Sequence, residues 1–151
     1  MPSIPFLSVA LAELPADFPA IQTIRQQVFQ QEQGVAPDLE FDGNDAAATH
    51  WLAYLDSQPV GTARMRSLSA QVAKIERVAV LKQYRGIGIG QKLMEAVLSK
   101  LVKIGISEVQ IHAQTQVQQF YDRLGFVPQG EIFAEAGIPH VKMRLLLSQP
   151  D

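Results

Sequence analysis

The stretch VAVLKQYRGIGIGQKLM, residues 78–94, decides the fold. A Val-rich run passes through Arg85-Gly86-Ile87-Gly88-Ile89-Gly90 into a segment in which Leu93, Met94, Val97, Leu98, Leu101 and Val102 recur at helical spacing. Gln91, Lys92, Glu95, Ser99, Lys100 and Lys103 take the opposite face, so the pattern predicts strand, glycine loop and amphipathic helix. A helix entered this way aims unpaired backbone N–H groups and the positive end of its dipole at one spot, which suits a phosphate or pyrophosphate. The glycines let a ligand approach the backbone without a Cβ in the way, and Arg85 supplies a positive charge with planar donors.

Two phosphate-binding loops fail to match. A Walker A loop needs Lys-Ser or Lys-Thr after its glycines, and neither follows here. A dinucleotide fingerprint needs GxGxxG, and neither the frame from Gly86 nor that from Gly88 has the third glycine. Glu108 lies at a suitable distance downstream, yet it opens its strand instead of closing it. On these residues alone, a glycine turn without a ligand remains the alternative.

Upstream, Phe6–Leu11 is a strand candidate, and Asp17 is a candidate N-cap for a helix carrying Ile21, Ile24 and Val28 at helical spacing until Gly34. Residues 37–48 are acidic and loop-like; Glu40, Asp42 and Asp45 form either a solvated loop or an attractor for a cationic amine. Strands are expected over His50–Asp56 and Val60–Ser67, joined by Ser57-Gln58-Pro59, and again over Val72–Leu81. After the long helix, Gly105 is a stop and Glu108–Ala113 a strand, followed by a short helix marked by Val117, Phe120 and Leu124 and closed by Gly125. Val127–Ile132 and His140–Leu147 complete a mixed α/β domain with helices on a central sheet.

Composition sets the bounds. The 151 residues are 47% hydrophobic and 19% charged, an ordinary globular balance, and one domain over residues 1–151 is expected because no repeat or linker divides them. With 13 Lys+Arg against 15 Asp+Glu, no global basic field exists for nucleic acid or an anionic membrane. No apolar run approaches the roughly 18 to 20 residues of a membrane span. The absence of cysteine excludes disulfides, thiolate metal sites and a cysteine nucleophile, and is compatible with a cytoplasmic location. His50, His112 and His140 are scattered without HExxH, so no metal is expected. No serine stands in a GxSxG elbow.

Arg85-Gly86-Ile87-Gly88-Ile89-Gly90 resembles the R/Q-x-x-G-x-G/A loop with which the GNAT superfamily of N-acetyltransferases grips the pyrophosphate of acetyl-coenzyme A. IERVAV (75–80) and FYDRLGF (120–126) are similar to two further elements of that family in the same order and spacing. VFQQEQGV and EFDGNDAAATHWLAY look like its small bacterial members.

The resemblance implies a GNAT-like central mixed sheet flanked by helices, with acetyl-CoA as co-substrate and no metal. It implies a small-molecule or peptide amine as acceptor, and a second copy of the chain is the assembly considered. Its coenzyme residues would be Val78, Ala79 and Val80 through their backbone, Arg85, Gly86, Ile87, Gly88, Ile89 and Gly90 in the loop, and Gln114 where many members carry Asn. Glu76 would accept the amine's proton, its alternative being a strand carboxylate paired with Arg77 or Lys74. Tyr121 would act as general acid toward the coenzyme sulfur, its alternative being a half-buried packing residue. His140 would line the acceptor pocket or serve as another base. A catalytically weak acyl-CoA-binding or sensing domain is the competing function.

Overall fold

The structure, a computed structural model, describes residues 6–148. Its strands are β1 (Leu7–Leu11), β2 (Thr49–Leu55), β3 (Gln58–Ser67), β4 (Val72–Val80), β5 (Glu108–Gln114), β6 (Val127–Glu135) and β7 (Ile138–Leu146). They form one mixed sheet in the order β1-β2-β3-β4-β5-β7-β6. The helices are α1 (Phe18–Arg25), α2 (Pro37–Glu40), α3 (Ile89–Lys103) and α4 (Gln118–Arg123). Two compact units divide the chain, one built from residues up to Arg64 with Arg77–Ser99, the other from Met65–Glu76 with residues from Lys100 onward.

In the first unit, the helical stripe Ile21, Ile24 and Val28 is buried against Leu52, Ala79 and Leu81. Asp17 precedes α1 as expected, but its carboxylate accepts the Glu13 N–H at 2.7 Å and makes no cap bond to the helix. α1 continues into a π-helical turn, Gln26–Glu32, which apolar spacing did not reveal because Val28, its buried residue, still falls at the α-helical spacing from Ile21 and Ile24. The β2–β3 connection is shorter than expected. Asp56 and Ser57 adopt φ of 49° and 71°, a pair of left-handed residues that closes a two-residue turn whose twist matches the strands, so Gln58 and Pro59 already belong to β3. A Cβ on Gly61 would meet Leu93 Cδ1 at 3.0 Å and the Ala79 carbonyl at 3.2 Å, so only glycine lets the start of α3 approach β3 this closely.

The segment 37–48 corrects the sequence reading most. Pro37–Glu40 is a short helix, and its acids are not a solvated loop. Arg25, fully buried, donates Nε to Glu40 Oε1 at 2.6 Å, Nη2 to the Glu40 carbonyl at 2.9 Å and Nη1 to Asp45 Oδ1 at 2.5 Å. Arg64, also fully buried, donates to both Asp42 oxygens at 2.9 Å and to Asp45 Oδ1 at 3.0 Å. Arg77 adds a bond to Asp42 Oδ2 at 3.3 Å. Three guanidiniums thus face three carboxylates, the balance that buried charge requires. Glu40, Asp42 and Asp45 are thus paired from inside the fold.

In the second unit, Val72–Ile75 pair in parallel with Glu108–Ile111, and that ladder ends there although β4 continues to Val80. β5 alternates buried and half-buried residues and pairs with β7 over its whole length, Glu108 opposite Leu146 through Gln114 opposite His140. β6 and β7 are antiparallel with one irregularity: Gln129 faces Lys142 and Phe133 faces His140, so Gly130, Glu131 and Ile132 stand against Val141 alone. In α4 the buried side chain is Tyr121, at 8% exposure, whereas the expected marker Val117 lies outside the helix and is 43% exposed.

Candidate active site

The glycine loop lies wholly in the first unit. β4 ends at Val80, a short 3-10 turn spans Lys82–Tyr84, and Arg85 is extended. Gly86 and Gly88 take φ of 84° and 90°, a conformation that L side chains resist, and nothing lies within 4 Å of where their Cβ atoms would be. The motif is shorter as a loop than expected, because α3 starts at Ile89 and Gly90 is helical. Gly88 accepts the Lys92 N–H at 3.1 Å, the first bond of the helix, which leaves the N–H groups of Ile89, Gly90 and Gln91 without intrahelical acceptors. Ile87 points outward, 59% exposed, while Ile89 is 2% exposed and anchors the turn in the core. No acid stands in the first turn of α3 to compete for its positive end, and Lys100 and Lys103 complement its last turn.

Arg85 does not stand free beside this loop. Its Nη1 and Nη2 donate to the two oxygens of Glu32 at 2.6 and 2.8 Å, and its Nε donates to the Val80 carbonyl at 2.9 Å. One lone pair of the Val80 carbonyl is used by this bond, and the other remains. The Arg85 bonds hold the Glu32 carboxyl below its ordinary value, against the opposing effect of burial. An open cleft beside the pair is lined by Gln27, Gln31, Glu32, Leu81, Lys82 and Gln83. Val78 and Val80 are half-buried, and the Ala79 side chain packs in the core, which leaves backbone groups as what this part of β4 can offer a ligand.

The second unit carries the titratable candidates. Glu76 is nearly buried on β4, and its Oε1 accepts Arg66 Nε at 2.8 Å and Nη2 at 2.5 Å, with Lys74 Nζ at 3.8 Å. The expected Lys74 contact is present, and Arg66 is a further partner that the sequence did not suggest. Arg77, with a φ of 54° inside the strand, donates to the Glu40 and Leu39 carbonyls. Tyr121 packs edge-on against Phe120 and Phe126, with ring centroids 5.0 and 5.8 Å away. Burial pushes its phenol well above the ordinary value, so the hydroxyl stays protonated. Gln114 ends β5, and its Oε1 accepts Gln116 Nε2 at 2.8 Å.

His140 is 6% exposed, and its Nδ1 lies 2.7 Å from the Ile138 carbonyl. A carbonyl only accepts, so Nδ1 carries the proton and Nε2, 3.7 Å from Glu135, keeps the lone pair in the neutral ring. The other oxygen of Glu135 meets His112 Nδ1 at 2.9 Å. Neither Glu135 nor Glu32 was singled out by sequence, because the partners lie 23 and 53 residues apart and no local periodicity links them. His50, in the first unit, bonds the Asp45 carbonyl through Nε2 at 2.9 Å. Among the described residues no group of His, Asp or Glu is arranged to hold a metal.

The family model of the acetyltransferase (GNAT) domain matches residues 20–147. The chain belongs to the GNAT family. A Bacillus subtilis protein provisionally named an acetyltransferase is 44% identical over 124 residues, 80% of this chain and 83% of that protein. A Lactobacillus plantarum structure provisionally titled an N-acetyltransferase superposes with a TM-score of 0.87 at 30% identity, over 94% of this chain and 99% of that one. A GNAT acetyltransferase from Elizabethkingia anophelis, solved with acetyl-CoA bound, shares the fold at 16% identity and a TM-score of 0.75, covering 93% and 98% of the two chains. This GNAT chain is therefore an acyltransferase drawing on an acyl-CoA. No helix among its described residues is long and apolar enough to cross a membrane.

Proposed function

We propose that this GNAT chain is an acetyl-CoA-dependent N-acetyltransferase, residues 1–151 acting as one cytoplasmic domain, in which a primary amine attacks the thioester directly within a ternary complex. The observation that carries the reading is the Gly86–Gly88 loop, left-handed, uncrowded and feeding free N–H groups into the acid-free first turn of α3. Those groups suit a pyrophosphate. A neighbour of the same fold, solved with acetyl-CoA bound, supports acetyl-CoA as the donor.

The co-substrate supplies an acyl carbon and a thiolate leaving group, and the chain's own residues take the amine's proton and stabilise the charge on the departing sulfur. As the new C–N bond forms, the amine nitrogen must lose a proton, and Glu76 is the carboxylate assigned to take it, directly or through water. As the C–S bond breaks, Tyr121 donates a hydrogen bond to the departing sulfur. Full proton transfer from a phenol raised above its ordinary value to a thiolate of ordinary pKa about 8.5 runs uphill, so the hydroxyl acts mainly by stabilising developing charge. The backbone N–H and C=O groups of Val78 and Val80, with Ala79 between them, are the assigned partners of the pantetheine arm, in the manner of an added strand. His140, with its Nε2 lone pair, is the assigned acceptor-side group.

The grip of Arg66 on Glu76 favours a second reading, an acyl-CoA-binding domain of little catalytic power. Coenzyme binding by calorimetry, with coenzyme release measured against polyamines, aminoglycosides, amino acids and peptide amines, separates the two. Turnover with any amine supports the transferase. Binding without turnover across the panel supports the sensor, and absence of binding overturns both.

A further inference from the structure

We propose that Glu135 Oε2 and His140 Nε2 form a subsite for a second ammonium group on the acceptor, so that this chain favours diamines and polyamines over amines of a single charge. The inference rests on the transferase reading above, in which Glu76 faces the reacting nitrogen, and it gives a specificity role to a residue that sequence did not single out.

Two acceptors that face each other without a donor carry the argument. His140 donates its Nδ1–H to the Ile138 carbonyl, which leaves only a lone pair on Nε2 of the neutral ring, and Glu135 Oε2 stands 3.7 Å from that nitrogen. A primary ammonium has three N–H donors and can serve both acceptors at once. The carboxylate is held for this by its other oxygen, which accepts His112 Nδ1–H at 2.9 Å. Phe133 stacks on His140 with centroids 6.0 Å apart and meets His112 edge-on at 5.0 Å, which fixes the direction of both imidazoles. Among the described residues no lysine or arginine pairs with Glu135, whereas Glu32, Glu76 and Glu108 each hold an arginine. Its side chain is 44% exposed, so a cation from solvent can reach it.

The subsite and Glu76 share a face of the sheet. Lys74 pairs with Gln110 and Gln114 with His140, and paired residues point to the same side, so alternation along β4 and β5 puts Glu76 and His140 on one face, two strands apart. An amine charged at one end meets Glu76 alone, whereas a chain with a nitrogen at each end meets both.

The test is acetylation of straight-chain diamines of graded length, each beside the monoamine of equal length, with diamine binding also measured by calorimetry. For the best diamine, wild type should show a kcat/KM about tenfold or more above that of its monoamine, the range of a hydrogen bond to a charged group. Glu135→Gln should bring the ratio near one, although its amide oxygen can still accept from His112 and keep the fold, which circular dichroism checks. Should that variant fail to fold, wild type decides with an amino alcohol of equal length, which should fall to the level of the monoamine. Equal use of diamines and monoamines overturns the subsite and leaves the transferase reading intact; it is the result expected if a proton on His140 Nε2 fills the gap instead. A preference that survives Glu135→Gln, or an amino alcohol used as well as the diamine, also overturns it. A diamine that binds through Glu135 but is never acetylated supports the subsite and defeats the transferase reading, and absence of both binding and turnover overturns both.

Discussion

Glu76 and Tyr121 can be tested separately because their environments differ. Glu76 is held by Arg66, and its replacement by Gln keeps the size and one acceptor oxygen while removing the charge. If Glu76 takes the amine's proton, Glu76→Gln should lower kcat/KM by about 10² to 10⁴, the loss shrinking at alkaline pH where more acceptor is already neutral. A pH–rate profile unchanged in shape and height would pass the role to His140. Tyr121→Phe removes only the hydroxyl from a ring packed between Phe120 and Phe126, so the fold and CoA affinity should survive while kcat falls about 10². An undiminished kcat with a good acceptor would leave Tyr121 as packing. Both residues were legible in the sequence by their place in IERVAV and FYDRLGF. Lys74 was legible as a neighbour of Glu76 as well, whereas Arg66 was not, because it stands on β3, ten residues away in sequence.

At the level of elements, the cluster around α2 gives the first unit a two-stage response to acid. Burial holds the His50 imidazole below its ordinary value of 6.5, so the unfolded chain takes up a proton that the folded chain refuses. Stability is then full above about pH 6.5 and falls as the pH drops toward the folded value. Asp42 is held far below its ordinary 3.8 by the Arg64 hydrogen bonds, so its contribution is lost only when the pH falls below that value. Denaturation midpoints should decline in two steps, and His50→Gln, whose amide can still donate to the Asp45 carbonyl, should remove the upper one. Midpoints that fall equally in both proteins between about pH 7 and 5 would clear His50 of the effect. The strands and long helices were readable from periods of two and 3.6 residues. The cluster was not, because its arginines stand at positions 25, 64 and 77, on three different elements, and only the fold gathers them.

For the molecule as a whole, ligand linkage offers the simplest check. Acetyl-CoA should raise the melting temperature in proportion to the logarithm of its excess over Kd, while ATP and NAD should not. Gly88→Glu should abolish that shift, because it forces a side chain into a φ of 90° and places a negative charge at the start of α3. Equal stabilisation by ATP would defeat the choice of coenzyme. The order of elements and the loop that defines the family were visible from the chain's glycines and apolar stripes, because these are local patterns. Strand partners beyond neighbouring segments, such as β7 lying between β5 and β6, were not, because nothing local encodes them.

The irregularity in β6 bears on how the protein survives at high concentration. β6 is the last strand in the sheet order, with only β7 beside it, and it exposes Val127 and Ile132 at 61% and 66%. A straight, open, apolar rim is a template on which further chains can add and seed fibrils. Pro128 removes one donor from this rim, and the three residues facing Val141 alone bend it, so an incoming strand finds no continuous ladder. Excising Gly130 and Glu131 would restore one-to-one pairing, and the shortened chain should then gain concentration-dependent thioflavin fluorescence on standing. If it stays monodisperse, resistance to aggregation resides in other parts of the surface.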